Sequence, residues 1–553
     1  MRVLARKGAV IGAVGFALVL SACGGDDDGD DGDGDAGAEG PTGAVVIGGC
    51  QPQNPLIPAN TNEVCGGDPQ DAVYAKLVRY NPDTAAPEND MAESIESDDN
   101  ITWTVTLKDG WTFHDGTPVT AESFVNAWNY SAYGPRAYLS SYFFEPIEGY
   151  AEVQGEDANG DATITEDEAP VTEMSGLEVV DDLTFTINLT SPQASFPQRL
   201  GYLAFAPLPE VFFEDPEAFG LAPIGNGPFS VVEYNENEDI QLTAYEGYAG
   251  DSSPQVQDVT FRIYTDENAE YNDLLADNVD VVTQLPPTAL AGEQYKADLG
   301  DRYIERETGV FASITFPPES VDPSLANIDL RRAISRAIDR DLIVQNIFQG
   351  SRTPATGWVS PVVDGYLADQ CGEWCTYDPE AAQQLLADAG GYEGTLPLSY
   401  NADGPNAEWT EAACNSISNA IGIDCVATPV VDFATFRDQI TNREMTGMFR
   451  TGWQMDYPAI ENFLVPLYAT GSSANDGDYS NPDFDAKLDE AASAASIEEA
   501  NALYQEAEAM LAEDLPAIPL WYTNTVAGYS TNVDNVKINP FGTTDLVSIT
   551  AAQ

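Results

Sequence analysis

A chain of 553 residues carrying 91 acidic against 22 basic side chains has a formal charge of −69. That balance excludes nucleic acid as a partner and gives no attraction to anionic membrane surfaces. Hydrophobic residues make up 43%, enough for real cores, and the length exceeds what one core usually serves, so two or three domains are expected.

Arg2, Arg6 and Lys7 precede an apolar stretch from Gly8 to Leu20 that is too short to span a bilayer, and Leu20-Ser21-Ala22-Cys23 follows. This resembles a lipobox. Residues 1–22 are expected to be a lipoprotein signal peptide, leaving Cys23 acylated at the new N-terminus and the body tethered outside the cytoplasm. The Gly/Asp-rich run over 23–43 has no residues that could form a core and many like charges, so it reads as an extended linker.

The other six cysteines fall into three close pairs, Cys50 with Cys65, Cys371 with Cys375 and Cys414 with Cys425. Several connectivities are possible. Short local disulfides are the simplest in an exported chain, and zinc is disfavoured because the chain has one histidine, His114.

Strand-like alternation marks 101–113, 183–189, 229–234, 240–245 and 259–264, and 445–452 also reads as a strand. Helical periodicity marks 121–130, 330–348, 379–389, 407–421, 433–442 and 497–512. The mixture predicts α/β or α+β lobes. An acidic loop over 155–169 contains Asp157, Asn159, Asp161 and Glu168 at positions 1, 3, 5 and 12 of a calcium-type loop. Its glycine, Gly160, stands at position 4 instead of 6, so an acidic surface loop competes with a calcium site, the only cofactor the sequence suggests. No catalytic constellation emerges: any histidine-based triad would need His114, which sits in an FHDG turn. Enzyme is therefore the weaker class.

Several blocks together resemble one family. WTVTLKDGWTFHDGTPVTAESFVNAW (103–128), IGNGPFSVVEY (224–234), IDLRRAISRAIDRDLIVQNIF (328–348), PEAAQQLLADAGG (379–391) and FRTGWQMDYPAIENFL (449–464) resemble the family 5 extracellular solute-binding proteins. That is the peptide/nickel class feeding ABC importers, with the oligopeptide-binding lipoproteins as its nearest members. The resemblance implies an α/β periplasmic-binding-protein-like fold of type II, with two hinged lobes and an extra helper domain. Lobe I would comprise 44–85, 206–315 and 518–553, the helper domain 86–205, and lobe II 316–517. It also implies a monomeric, non-enzymatic receptor that delivers solute to a membrane permease with ATPase subunits.

Residue by residue, the resemblance gives Asp456 the ligand α-ammonium, Arg450 a ligand carboxylate, Gly452 a backbone contact and Trp453 the wall of a side-chain pocket. Tyr138 and Tyr142 both fall near a ligand-contacting tyrosine. Asp456 as a turn cap, Arg450 as a surface ion pair and Trp453 as core are the competing readings. Phe348 and Asn406 stand where the oligopeptide pattern has further basic groups, and Gln454 replaces a cysteine, which leaves ligand length open. Oligosaccharide, stacked on Trp and Tyr, is the rival ligand; nickel is disfavoured by the lack of histidine.

Intact mass of membrane-extracted protein is expected to show a chain beginning at Cys23 with acyl groups attached. An unmodified Cys23 at a free N-terminus would contradict the lipobox.

Overall fold

The structure is a computed structural model describing residues 41–157, 163–402, 405–472 and 474–552. Cys23, Asn159 and Asp161 therefore lie outside the described residues. An eleven-stranded sheet organises those that are described. In it, β1 (Ala44–Gly49) runs parallel to Asp258–Ile263, and Asp239–Ala244 and Phe229–Asn235 extend the same end in antiparallel fashion. Next in the chain, α1 (Val64–Val73) is capped by Glu63, whose carboxylate accepts the Gly66 N–H at 3.0 Å.

The frame is completed by β2 (Tyr303–Thr315), β3 (Met448–Gln454), α2 (Glu461–Tyr468) and β4 (Ala517–Tyr529). The long strands β2 and β4 pair antiparallel with each other. At one end of the sheet β4 reaches β1 through Val281–Val282. At the other, β2 pairs with β3, β3 with Thr395–Asn401, and Thr395–Asn401 in turn with Asp424–Val430. The β2–β4 register breaks between Glu307 and Phe311, where the Gly309 N–H turns to the Pro540 carbonyl instead.

Two main cores flank this frame. Trp128 anchors the first among the rings of Phe124, Phe144, Phe185 and Phe205, and its Nε1–H is satisfied by the Phe205 carbonyl at 3.1 Å. A separate four-stranded antiparallel sheet built from 92–96, 102–107, 177–181 and 184–188 packs into it. Trp358 anchors the second core with Trp521, Phe463 and Tyr504, its Nε1–H on the Ala517 carbonyl at 3.1 Å.

Most periodic segments form the elements their patterns predict, including Ala407–Ile421 and Asp258–Ile263. Three differ. The helix expected over 330–348 is two, Ile328–Arg336 and Arg340–Asn346. The Asp339 side chain caps the second by accepting the Leu342 N–H at 3.0 Å, and the buried Arg340 guanidinium reaches the Pro519 and Ser335 carbonyls. The strand expected over 101–113 stops at Leu107, before a turn in which Gly110 has φ +94°. The strand expected over 445–452 begins at Met448, after Gly447 at φ +73°.

All three local disulfides form, with Cα–Cα separations of 5.0 Å for Cys50–Cys65, 5.7 Å for Cys371–Cys375 and 4.8 Å for Cys414–Cys425. Among the described residues no cluster of His, Cys, Asp or Glu could hold a metal ion. In the acidic loop, the Glu168 Oε2 accepts the Thr165 N–H and hydroxyl at 3.0 and 2.8 Å.

The IGNGPF block fits against the end of α1. Asn226 exchanges two hydrogen bonds with the Ala75 backbone, and the Gly227 N–H meets the Val73 carbonyl at 2.8 Å. His114 clasps the same block: its Nδ1 accepts the Gly225 N–H, and Nε2 faces the Gly227 carbonyl at 3.1 Å. Burial pushes its imidazole down to about 4, so it is neutral and structural. A Cβ at Gly225 would collide with the Val73 carbonyl oxygen, a backbone atom that cannot swing aside. Gly225→Ala is therefore expected to cost about 1–3 kcal/mol of stability, read from denaturant unfolding; an unchanged midpoint would show that α1 can retreat.

Candidate ligand-binding cleft

The segment after β3 builds the site. Where the strand ends, Met455-Asp456-Tyr457-Pro458 turns into α2, and Asn462 in the first turn of that helix is 1% exposed. The Asn462 Oδ1 accepts the Trp453 Nε1–H at 3.2 Å and the Asp456 N–H at 2.9 Å, while its Nδ2 donates to the Asp456 Oδ2 at 3.0 Å. One buried amide thus fixes both the indole and the carboxylate that the sequence resemblance singled out.

Asp456 lines a cavity of about 1040 Å³. Burial pushes its carboxyl up to about 6, against the pull of the Asn462 amide and of Arg199, with Glu461 adding to the rise. Arg199 belongs to a buried trio: it donates to the Tyr457 hydroxyl at 3.0 Å and pairs with Glu461 at 3.5 Å, while Tyr457 donates to Glu461 at 2.8 Å. Next to it, the Gln198 and Asn501 amides both donate to the Asp364 carboxylate at 3.0 Å. These contacts lock 195–199 onto the segment that carries Asp456.

The two tyrosine candidates part company. Tyr142 is 48% exposed, and its hydroxyl, raised chiefly by burial, also feels the Asp456 charge. It stacks on Phe143 at 4.6 Å, which stacks in turn on Tyr202 at 3.8 Å, and Tyr202 lines the cavity. Tyr138 packs against Tyr130 at 6.0 Å in the first core instead.

Arg450, Gly452 and Trp453 line a second, smaller cavity of about 310 Å³ with Phe433 and Phe436. The Arg450 guanidinium lies 5.4 Å from both phenyl rings, and its Nε donates to the Asn401 Oδ1 at 2.8 Å. Asn406 donates to that same oxygen at 3.0 Å and accepts the Trp409 indole N–H, so it supports the partner of Arg450. Phe348 packs edge-on against Trp521 at 4.9 Å. Gly452 opposes Ala312 in the ladder, where a Cβ would press on the Phe311 carbonyl at 3.3 Å. Asn462, Tyr202 and the Arg199 trio escaped the sequence reading. Asn462 and Glu461 lay inside the quoted 449–464 block, but nothing in their spacing separates a buried bridge from a helix start.

A large cavity with an oriented carboxylate and an aromatic wall defines a receptor for a small solute. Residues 86–475 match the family described as bacterial extracellular solute-binding proteins, family 5 Middle; the chain belongs to it. It is an extracytoplasmic receptor of an ABC importer and not an enzyme. The chain is 26% identical over 528 residues to the oligopeptide-binding protein OppA of Bacillus subtilis (strain 168), covering 92% of this chain and 93% of that one. It is 28% identical over 487 residues to heme-binding protein A of Haemophilus influenzae, covering 85% of each. Its fold is similar to the solved structure titled clavulanic acid biosynthesis oligopeptide binding protein 2, with TM-score 0.80 and 20% identity over 93% of this chain and 96% of that one.

The raised carboxyl has a consequence for stability. In the ligand-free fold Asp456 holds its proton up to about pH 6, against an ordinary value of 3.8, so folded protein binds the proton more tightly than unfolded chain and stability falls as pH rises through that window. Asp456→Asn removes the penalty. Ligand-free Asp456→Asn is expected to be more stable than wild type by about 1–2 kcal/mol at pH 7, with the gap closing below about pH 4. Denaturant unfolding at both pH values checks it; a variant less stable at pH 7 would contradict the assigned penalty.

Proposed function

We propose that this receptor captures oligopeptides, holding the peptide α-ammonium at Asp456 inside the larger cavity, and delivers them to a membrane permease powered by ATPase subunits. The observation that carries this is the Asp456 carboxylate itself. It is half-buried and oriented by the Asn462 side chain, and its pKa is raised, so a cation would complete it. A peptide supplies that cation and, through its amides, suits backbone edges such as that at Gly452. The names of the Bacillus subtilis relative and of the clavulanic acid structure both specify oligopeptides. Haem, in the name of the Haemophilus relative, is less well served, because His114 is spent on the Gly225 and Gly227 backbone.

In this reading the lobes are 44–85 with 206–315 and 518–553, and 316–517, with 86–205 as helper domain. They hinge where β2 and β4 lose register, and ligand contacts to both sides drive closure. The acylated Cys23 anchors a monomer to the membrane through the acidic linker. Arg450, near aromatic rings and Asn401, takes a ligand carboxylate, and Trp453 walls a side-chain pocket.

Calorimetry with a bound peptide tests the site. Asp456→Asn keeps the shape but leaves the ammonium buried without a counter-ion, an expected loss of about 3–5 kcal/mol, on the order of a hundredfold or more in affinity. N-acetylating the peptide is expected to mimic it. A sugar has no ammonium, so for an oligosaccharide ligand Asp456→Asn would cost only about 1 kcal/mol. Harmlessness of both changes on a bound peptide would overturn the assignment.

A further inference from the structure

The cavity that holds Asp456 contains more negative charge than its own cations answer. Its three basic residues are already paired: Lys76 with Asp71 at 2.7 Å, Arg79 with Glu88 at 3.0 Å and Asp251 at 3.4 Å, and Lys537 with Asp83 at 2.8 Å. Glu63 is occupied in capping α1. Asp68, in the middle of α1, lines the same cavity and has no hydrogen-bond or ion-pair partner among the described residues. Burial, with the neighbouring acids Asp71 and Glu63 adding to it, pushes its carboxyl well above the ordinary range.

An unpaired acid in so acidic a chain would mean little by itself. A second feature of the lining points the same way. Tyr74, which ends α1 and also lines the cavity, is 1% exposed, and its hydroxyl has no hydrogen-bond partner. Asp90, 5% exposed, likewise leaves its Oδ1 unpartnered in the lining, although Arg79, Lys76 and Lys108 balance its charge. Buried polar atoms left without partners are unfavourable unless something else completes them. Asp68 on α1 and Tyr74 just past its end offer a carboxylate and a free hydroxyl to one cavity, groups that accept N–H donors and favour a positive charge. Guanidinium and ammonium side chains have that chemistry, and guanidinium supplies five donors in a rigid fork.

Resting on the reading that the ligand is a peptide, we propose that Asp68 is the counter-ion for a cationic side chain of that peptide. The receptor then prefers peptides carrying arginine or lysine in addition to the α-ammonium held at Asp456. The two carboxylates come from different parts of the fold, Asp68 from α1 and Asp456 from the β3–α2 turn, so a ligand with two cations engages both.

The test compares tetra-alanine with tetrapeptides in which each alanine in turn is replaced by arginine or by citrulline, which keeps the shape and removes the charge. Binding is measured by calorimetry at low ionic strength. For at least one position, arginine is expected to bind about tenfold or more tightly than citrulline. Asp68→Asn is expected to remove that difference, whereas Glu393→Gln, an exposed acid outside the cavity, leaves it. Equal binding of arginine and citrulline peptides at every position would overturn the proposal, and this arm requires no variant to fold. Survival of the difference in a folded Asp68→Asn protein would overturn it as well. Failure of every peptide, tetra-alanine included, would instead overturn the peptide reading and this proposal with it.

Discussion

The antiparallel pairing of β2 with β4 is the constraint on which the other parts depend. Each strand has 13 residues, and together they carry the backbone from the half of the sheet that holds β1 to the half that holds β3. A ladder of that length is stiff along most of its course. It softens where the register breaks near Thr308 to Val310, and there the Met455 N–H, one residue before Asp456, meets the Gly309 carbonyl at 2.9 Å. The segment that carries Asp456 is thus tied, through the end of the β2–β3 ladder and this hydrogen bond, to the register break of the longest pairing. Movement of one half of the sheet against the other would be felt at the site.

The cleft holds a carboxylate at some cost to the ligand-free fold. Asp456 is costly in the ligand-free fold because partial burial disfavours its charged form, with Glu461 adding to the cost. Arg199 lowers the cost, yet its own charge is shared with Glu461 and Tyr457, so the carboxylate is stabilised without being neutralised. Preorganisation of this kind concentrates the favourable term in the bound state, at some expense of ligand-free stability. Hydrogen bonds to Asn462 hold the indole and the carboxylate as a unit, which makes their separate contributions non-additive.

Several features were legible because they are local. The strands at 184–188 and 239–244 follow from alternation in a half-buried sheet. The disulfides follow from short loops, whose ends meet with little search. The family blocks pointed to Asp456 and Trp453, and the structure brings them together through one amide. The split of the 330–348 helix was not legible, because the apolar spacing continues across Asp339 while the break depends on where Arg340 finds carbonyls: two of its acceptors, Ser335 and Ile338, are sequence neighbours, but Pro519 is distant.

The sequence by itself determined that this chain is exported, acidic, mixed α/β and of a solute-binding kind, since those properties reside in composition, periodicity and contiguous motifs. Only the tertiary structure decided that Tyr202 and not Tyr138 lines the cleft, that Asn406 supports Arg450 through Asn401, and that Asp68 and Asp456 face one cavity from segments nearly 400 residues apart. The physical reason is that pairing and burial are properties of neighbours in space. Ninety-one acids look alike along the chain, and the fold alone distinguishes those facing open water or a cation from those lining the cavity.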